Sequence, residues 1–282
     1  VTAAGAVDVS EFDAGDDIRI NAGGALTIGG AYSYGTGVDN EGDGSNIVLS
    51  AGDTNVTHAE ADNDFIADVA SFTTGLDSII TGGDIIVTSA GAVDMGKSTA
   101  GGFVSVTGQS VAVKMIDGGG SVSLSAGGHA DLNAARTAIT GTVSGTGSLS
   151  ANSFTGPIAI NLADFDDSIS ISSSGNITGT YNSGGDIRLN SGAGINPTAN
   201  AIRSQSSSSG PPIAASVFAD AAENVVLTNS SASGMFGVNA GGSATLTGIT
   251  AGEDLLVRAQ TTATIANPTA GGDLTVAARA VT

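Results

Sequence analysis

Short stretches in which apolar and polar residues alternate recur along the whole chain. Each follows one or two small residues, often glycine, as in Gly82–Val87, Gly184–Leu189 and Gly271–Val276. A period of two residues predicts a β-strand with one buried face. Almost every stretch long enough for a helix contains glycine or β-branched residues, which disfavour helix by roughly 0.5–1 kcal/mol each. The pattern therefore predicts an all-β protein.

The predicted strands repeat at a nearly constant spacing. Apolar residues expected to point inward recur every 19 residues, with one interval of 18, in two series: Ile47, Ile66, Ile85, Val104 and Val122, and Val217, Phe236, Leu255 and Leu274. A second strand is expected eight residues after the first, at Val93, Val225 and Ala263. A unit this short cannot bury its own apolar face, so copies must stack at ~4.8 Å. The spacing predicts a parallel β-helix, or solenoid, with about 19 residues per coil.

Glycine at the corners of such a coil has two expected uses, positive φ values and close approach of one backbone to the next. We predict a single solenoid over residues 1–282, with loop insertions near 29–44 and 197–214, where Gly, Asp, Ser and Pro interrupt the pattern. Between residues 139 and 180 first and second strands cannot be told apart. The chain begins with a second-strand phrase and ends after a first strand, without polar caps. We therefore expect it to continue in a longer chain or to associate end to end.

Charge and composition exclude several classes of protein. The chain has 8 Lys and Arg against 27 Asp and Glu, a net charge of −19, which disfavours binding to nucleic-acid phosphates. No apolar run approaches the ~18–20 residues that span a bilayer, so we expect no membrane insertion. The absence of Cys removes thiolate catalysis, Cys-based metal sites and disulfides.

The repeated Gly-Gly-Asp-Ile/Leu-x-Val/Leu phrase, followed by a Gly-x-Val second strand, resembles the filamentous haemagglutinin family of secreted adhesins. The resemblance implies a right-handed parallel β-helix, two-partner secretion, and a place on the outer surface of a Gram-negative bacterium. It also implies a ligand on a host or neighbouring cell. The Asn-Pro-rich motifs of the family's secretion domain are absent, so the resemblance is to the repeat shaft. A chain without Cys suits export in an unfolded state.

One segment matches a phosphate-binding loop letter for letter. Gly91–Ser98 reads Gly-x4-Gly-Lys-Ser. That motif functions where a strand delivers the loop to a helix N-terminus, whose amides hold the phosphates. Here the next strand phrase follows directly, at Gly101–Val106. We therefore reject a nucleotide site at Lys97.

Acidic runs are the remaining candidates for ion binding. Oxygen ligands of this kind can bind Ca²⁺, and the alternative is a solvated acidic surface. The candidate calcium ligands are Asp13, Asp16, Asp17, Asp164, Asp166 and Asp167. His58 and His129 lie far apart in sequence without a zinc motif, and no other cofactor is expected.

Three classes of function remain. The leading expectation is a structural and adhesive filament shaft without catalysis. An enzyme acting on acidic polysaccharides would need carboxylates and Arg or Lys aligned on one strand face, with aromatic platforms for sugars. The third class is an ice-binding or surface-layer protein, which would need ladders of Thr. Thr88 and Thr107 align at 19 residues, but the ladder does not continue.

Overall fold

The computed structural model describes residues 1–34, 45–75, 77–126, 139–145, 147–153, 156–201 and 214–282. It is an all-β parallel solenoid of about 12 turns, with about 19 residues between stacked strands. Within the described ranges there is no helix, and hence no helix that could cross a membrane. The predicted fold class is confirmed. The chain divides into two compact units, unit 1 (Val1–Gly145) and unit 2 (Thr146–Thr282).

The described residues of unit 1 form fourteen strands, which pair in parallel with equivalent strands of the neighbouring coil. In chain order they are β1 (Thr2–Ala3), β2 (Val7–Ala14), β3 (Ile18–Ala22), β4 (Leu26–Ser33), β5 (Ile47–Val56), β6 (Ala59–Ala61), β7 (Phe65–Thr74), β8 (Asp77–Thr81), β9 (Ile85–Ser89), β10 (Ala92–Ala100), β11 (Val104–Gly108), β12 (Ser110–Gly118), β13 (Val122–Ala126) and β14 (Ile139–Gly145).

In the part of unit 2 that the structure describes there are seventeen strands with the same parallel pairing. They are β15 (Leu149–Ser153), β16 (Ile158–Phe165), β17 (Ile169–Ser173), β18 (Ile177–Ser183), β19 (Ile187–Ser191), β20 (Ile195–Ala201), β21 (Val217–Ala221), β22 (Val225–Thr228), β23 (Ser231–Ala232), β24 (Phe236–Ala240), β25 (Ala244–Thr247), β26 (Thr250–Ala251), β27 (Leu255–Ala259), β28 (Thr262–Ala266), β29 (Thr269–Ala270), β30 (Leu274–Ala277) and β31 (Ala280–Val281).

The core of each unit is a set of stacked aliphatic and aromatic side chains. Along first strands such as β9, β19 and β27 every second residue is buried, as period-two alternation requires. Stacked residues come from equivalent positions of successive coils, so each ladder is one side chain wide. The first-strand ladder is Ile18, Ile47, Phe65, Ile85, Val104 and Val122 in unit 1, and Leu149, Ile169, Ile187, Val217, Phe236 and Leu255 in unit 2.

The predicted register is wrong in one coil of unit 1. Phe65, not Ile66, stacks between Ile47 and Ile85, and it is fully buried whereas Ile66 is half-exposed. A shift of one residue exchanges the two faces of a strand. With Ile66 inside, Asp68 would also face the core; with Phe65 inside, the buried set becomes Phe65, Ala67 and Val69. The cost of burying a carboxylate decides the register.

The corner glycines serve close approach, not positive φ. The φ values in the left-handed region that the structure shows for described glycines are those of Gly179 and Gly248, neither of which belongs to a Gly-Gly-Asp phrase. At Gly101, by contrast, a Cβ atom would lie 2.0 Å from the carbonyl oxygen of Gly82 in the preceding coil. The expectation of positive φ at these corners is therefore wrong, and that of close backbone approach is confirmed.

The first residues of each predicted insertion belong to a strand instead. Residues 29–33 complete β4 and residues 197–201 complete β20, while 35–44 and 202–213 lie outside the described residues. The ambiguous stretch from 139 to 180 is also assigned. Leu149 and Ile169 begin first strands, and Ile158 and Ile177 begin second strands.

Candidate functional site

An Asp or Asn directly before the first strand holds neighbouring coils together at one corner. In unit 1 an oxygen of Asp64 accepts a hydrogen bond from the backbone N–H of Asp84 at 2.8 Å, and Asp84 in turn accepts one from Phe103 at 2.9 Å. Unit 2 repeats the contact: Asp254 accepts from the N–H of Asp273 at 2.8 Å. We call this row of side-chain acceptors the corner ladder. Its members in unit 1 are Asp17, Asn46, Asp64 and Asp84.

The predicted calcium ligands near the start of unit 1 have separate roles. Asp17 belongs to the corner ladder, where it accepts from Asn46 N–H at 2.9 Å and from Arg19 at 2.6 Å. Its partial burial acts to raise the pKa of the carboxyl, but the hydrogen bonds from Asn46 and Arg19 outweigh burial and leave it lowered. The backbone carbonyl of Asp16 accepts from Ser33 at 2.7 Å, and Asp13 lies exposed in β2.

The second calcium cluster lies around the end of β16. Asp164 is exposed in the strand, and Asp166 and Asp167 are exposed in the turn that follows. The carbonyl of Asp167 accepts hydrogen bonds from Ser183 and from the N–H of Gly185. Across the described ranges no three His, Asp or Glu side chains come together as a metal site. Calcium binding at these residues stays a hypothesis.

The phosphate-loop match is part of an ordinary strand. Residues 92–100 form β10, and β11 follows after a short turn. Lys97 is exposed, whereas Ser98, which would have to reach a bound ion, is buried in the core at 1% exposure. The geometry that gives this motif its affinity for phosphate is therefore not formed here.

Sequence reasoning missed an aromatic cluster in unit 1. Tyr34 donates a hydrogen bond to Glu60, which also pairs with Nε2 of His58 at 2.8 Å. The Tyr32 ring lies 6.3 Å from that of Tyr34 and 5.6 Å from that of His58. The hydrogen bond to Glu60, with partial burial, raises the pKa of Tyr34 to about 12. The same bond, with that from His58, lowers the pKa of Glu60.

The parallel register creates this cluster, because Tyr32 lies directly beside Glu60 in the next coil. The spacing of Tyr32 and Tyr34, like that of His58 and Glu60, indicates side chains on one strand face. Their meeting depends on the register across residues 35–44, which the sequence leaves open. The cluster fixes the side chain of Tyr34 immediately before residue 35.

Polar, charged and aromatic side chains also come together on the outward face of the first strands in unit 2. Two columns of outward side chains run across β17, β19, β21, β24 and β27. The first column is Ser170, Arg188, Phe218, Gly237 and Leu256; the second is Ser172, Asn190, Asp220, Asn239 and Arg258. A groove of about 290 Å³ opens between them, lined by Ser170, Ser172, Arg188, Asn190, Phe218 and Asp220, with Ile171 and Leu189 beneath.

The same face of unit 1 carries the predicted threonine pair. Thr88 and Thr107 stack in register, as the spacing predicts, but Asp68 and Ser125 stand at the equivalent positions on either side. A flat threonine face of the kind that binds ice is thus two residues long here.

Comparisons with known protein families, with curated proteins and with solved structures found no match for this chain. The class of protein is therefore defined by its fold, a parallel β-solenoid with a corner ladder and one polar, aromatic groove on an outward face.

Proposed function

We propose that this chain is a structural and adhesive shaft segment of a secreted filament on the outer surface of a Gram-negative bacterium, and that it carries no catalysis. Its partners in this role are further coils of the same architecture and a ligand on a host or neighbouring cell. The repeat resemblance to filamentous haemagglutinin supports the proposal.

The observation that carries the proposal is the repeated use of polar groups to hold coils together. Corners before the first strands supply close backbone contacts, as at Gly101, and side-chain acceptors for the next coil, as at Asp64 in unit 1 and Asp254 in unit 2. Buried serines bond to backbone groups across coils in the same way, as Ser191 does to the carbonyl of Gly175 at 2.7 Å. A chain whose repeated chemistry joins each coil to its neighbours suits a load-bearing rod.

An enzyme acting on polysaccharides is the second candidate, and one observation favours it. Arg188, Asp220 and Arg258 lie on one outward face of unit 2. Glycoside hydrolysis needs two carboxyl groups about 5–9.5 Å apart on either side of the bond, and these three residues supply one of them, Asp220. Incubating the purified chain with neutral and acidic polysaccharides, and measuring new reducing ends or unsaturated products, separates this candidate from the shaft.

The shaft proposal is tested on the cells that make the protein. Immunogold electron microscopy with antibodies against the chain should label extended structures outside the outer membrane. Cells carrying Gly101→Ala should show fewer of them than cells carrying Gly15→Ala, because only the first substitution forces adjacent coils apart. Labelling confined to the cell interior, or equal filaments in both variants, would contradict the proposal.

A further inference from the structure

We propose that the groove on unit 2 between Arg188, Phe218 and Asp220 is a binding site for one neutral hexopyranose ring. The inference deepens the adhesive part of the proposed function and rests on it for its biological role. The binding itself is a property of the folded chain that can be measured without any filament.

The ring of Phe218 offers a fixed, exposed apolar surface at the edge of the groove. A Cβ atom at Gly237 would lie 2.9 Å from Cδ1 and 3.3 Å from Cε1 of Phe218, so the ring lies against the glycine of the next coil. It therefore leans towards Gly237 and away from Arg188, and it stays 37% exposed. A flat apolar surface held in this way can pack against the C–H face of a sugar ring, which meets the electron-rich face of the aromatic ring.

Hydrogen-bonding groups of both kinds surround that surface. Oδ1 of Asp220 accepts a hydrogen bond from Nδ2 of Asn239 at 3.0 Å, which orients the carboxylate and leaves its other oxygen for a ligand. Asn190 lies beside Asp220 in the preceding coil and offers an amide. The two columns are ~6.6 Å apart along the strand and successive coils ~4.8 Å apart, so these groups can reach different hydroxyls of one ring.

The charges in and around the groove favour a neutral ligand. Arg188 lies 3.7 Å from Asp186, which is too long for a hydrogen bond, so the guanidinium keeps its donors while its charge is balanced. Arg258 lies two coils from Asp220 on the same column, so a positive charge also stands near that carboxylate. These four charges sum to zero within a chain of net charge −19. An anionic polymer therefore gains no local attraction and meets a repulsive field.

The volume of the groove is large enough for one sugar ring of a ligand. Its volume of about 290 Å³ lies at the lower end of ligand pockets. Ile171 and Leu189 are buried in the core, so they present only backbone to it. Longer ligands can extend along the columns, but the contacts with both an aromatic face and a carboxylate occur once, at Phe218 and Asp220.

Binding is measured on the purified full chain by saturation-transfer NMR and calorimetry. The probes are the methyl glycosides of glucose, galactose and mannose, neutral linear oligosaccharides, a neutral N-glycan, and polygalacturonate as the anionic polymer. At least one methyl glycoside should bind with a dissociation constant of about 1–10 mM, as expected for a ligand of this size. Saturation should reach its C–H protons most strongly. The oligosaccharide and N-glycan arms then distinguish a polysaccharide from a glycoprotein as the source of the ring.

Matched variants locate the site. Phe218→Ala should weaken binding at least tenfold, whereas Phe103→Ala, which removes a similarly exposed phenylalanine from unit 1, should not change it. Asp220→Asn should also weaken binding, and Asp68→Asn, at the equivalent strand position of unit 1, should not. Asp68 and Asp220 are both exposed, so we expect the two Asn variants to fold. They therefore test the site even if Phe218→Ala fails to fold.

The proposal is overturned if no neutral probe binds, if polygalacturonate alone binds, or if binding is equal in Phe218→Ala and Phe103→Ala. Failure of sugar binding with filaments intact on cells would reject this site and leave the shaft proposal standing. Sugar binding by a chain that stays inside the cell would reject the shaft and keep the site.

Discussion

Replacing the corner glycine Gly101 by alanine tests whether close backbone contact holds the coils together. The new Cβ atom would lie 2.0 Å from the carbonyl oxygen of Gly82, and real Cβ contacts are not shorter than 3.0 Å. The two coils must therefore separate by about 1 Å at this corner.

That displacement breaks specific hydrogen bonds. The N–H of Gly101 donates to the carbonyl of Thr81 at 3.0 Å, and that of Gly102 donates to Gly83 at 2.8 Å. Lengthened by about 1 Å, both leave the range of a hydrogen bond. Each such bond contributes about 0.5–1.5 kcal/mol, so Gly101→Ala should lower the free energy of unfolding by about 1–3 kcal/mol.

Urea unfolding followed by far-UV circular dichroism measures the effect, and hydrogen exchange at the amides of Gly101 and Gly102 locates it. Gly15→Ala is the matched control, because a Cβ atom there has no neighbour within 4 Å. It should leave stability unchanged or raise it by up to ~1 kcal/mol, through the reduced entropy of the unfolded chain. Equal midpoints for the two variants would refute the argument from close approach.

Three further predictions follow from contacts in unit 1. In urea titrations Phe65→Ala should lower the free energy of unfolding by about 3–5 kcal/mol, and Ile66→Ala by less than ~1 kcal/mol. The reverse order would indicate that Ile66, not Phe65, faces the core. Tyr34 should titrate in ultraviolet absorbance near pH 12, and Glu60→Gln should bring its pKa down towards 10. Because the pKa of Tyr34 is raised in the folded state, the hydrogen bond to Glu60 stabilises the fold fully below about pH 10, and this contribution is lost as pH rises through 12. An unchanged titration of Tyr34 in Glu60→Gln would contradict that hydrogen bond. Asp64→Ala should cost about 1–2 kcal/mol by removing the acceptor for the next coil's amide, while Asp64→Asn, which keeps a side-chain oxygen, should retain most of the stability.

The fold could be predicted because its signal is repeated. Alternation and a spacing near 19 residues identify the strands, and the predicted ladder from Val217 to Leu274 has the register found in the structure. The error at Ile66 arose from following spacing alone. The two coils around Phe65 are 18 and 20 residues long, not 19, and the polar residue Asp68 indicates the outward face.

The side-chain clusters could not be predicted, because each joins residues across an insertion. Arg188 and Phe218 are direct neighbours in the structure but lie 30 residues apart in sequence, and Tyr34 and Glu60 are 26 apart. A fixed repeat length pairs the wrong residues whenever extra residues separate two coils in the sequence. The corner ladder was missed for another reason: composition counts charges, but it does not reveal that Asp64 and Asp254 each accept a hydrogen bond from a backbone amide of the next coil.

The corner ladder also has a consequence for how such a gene can evolve. Several coils offer their successor a side-chain oxygen at the same place, as Asp64, Asp84 and Asp254 do, so a coil duplicated or deleted beside them meets a compatible neighbour. Unequal recombination between repeats would then change copy number without creating an unsatisfied junction. Relatives of this chain should therefore differ by whole coils, and residues of the outward columns should diverge more rapidly than the glycine and aspartate of each corner.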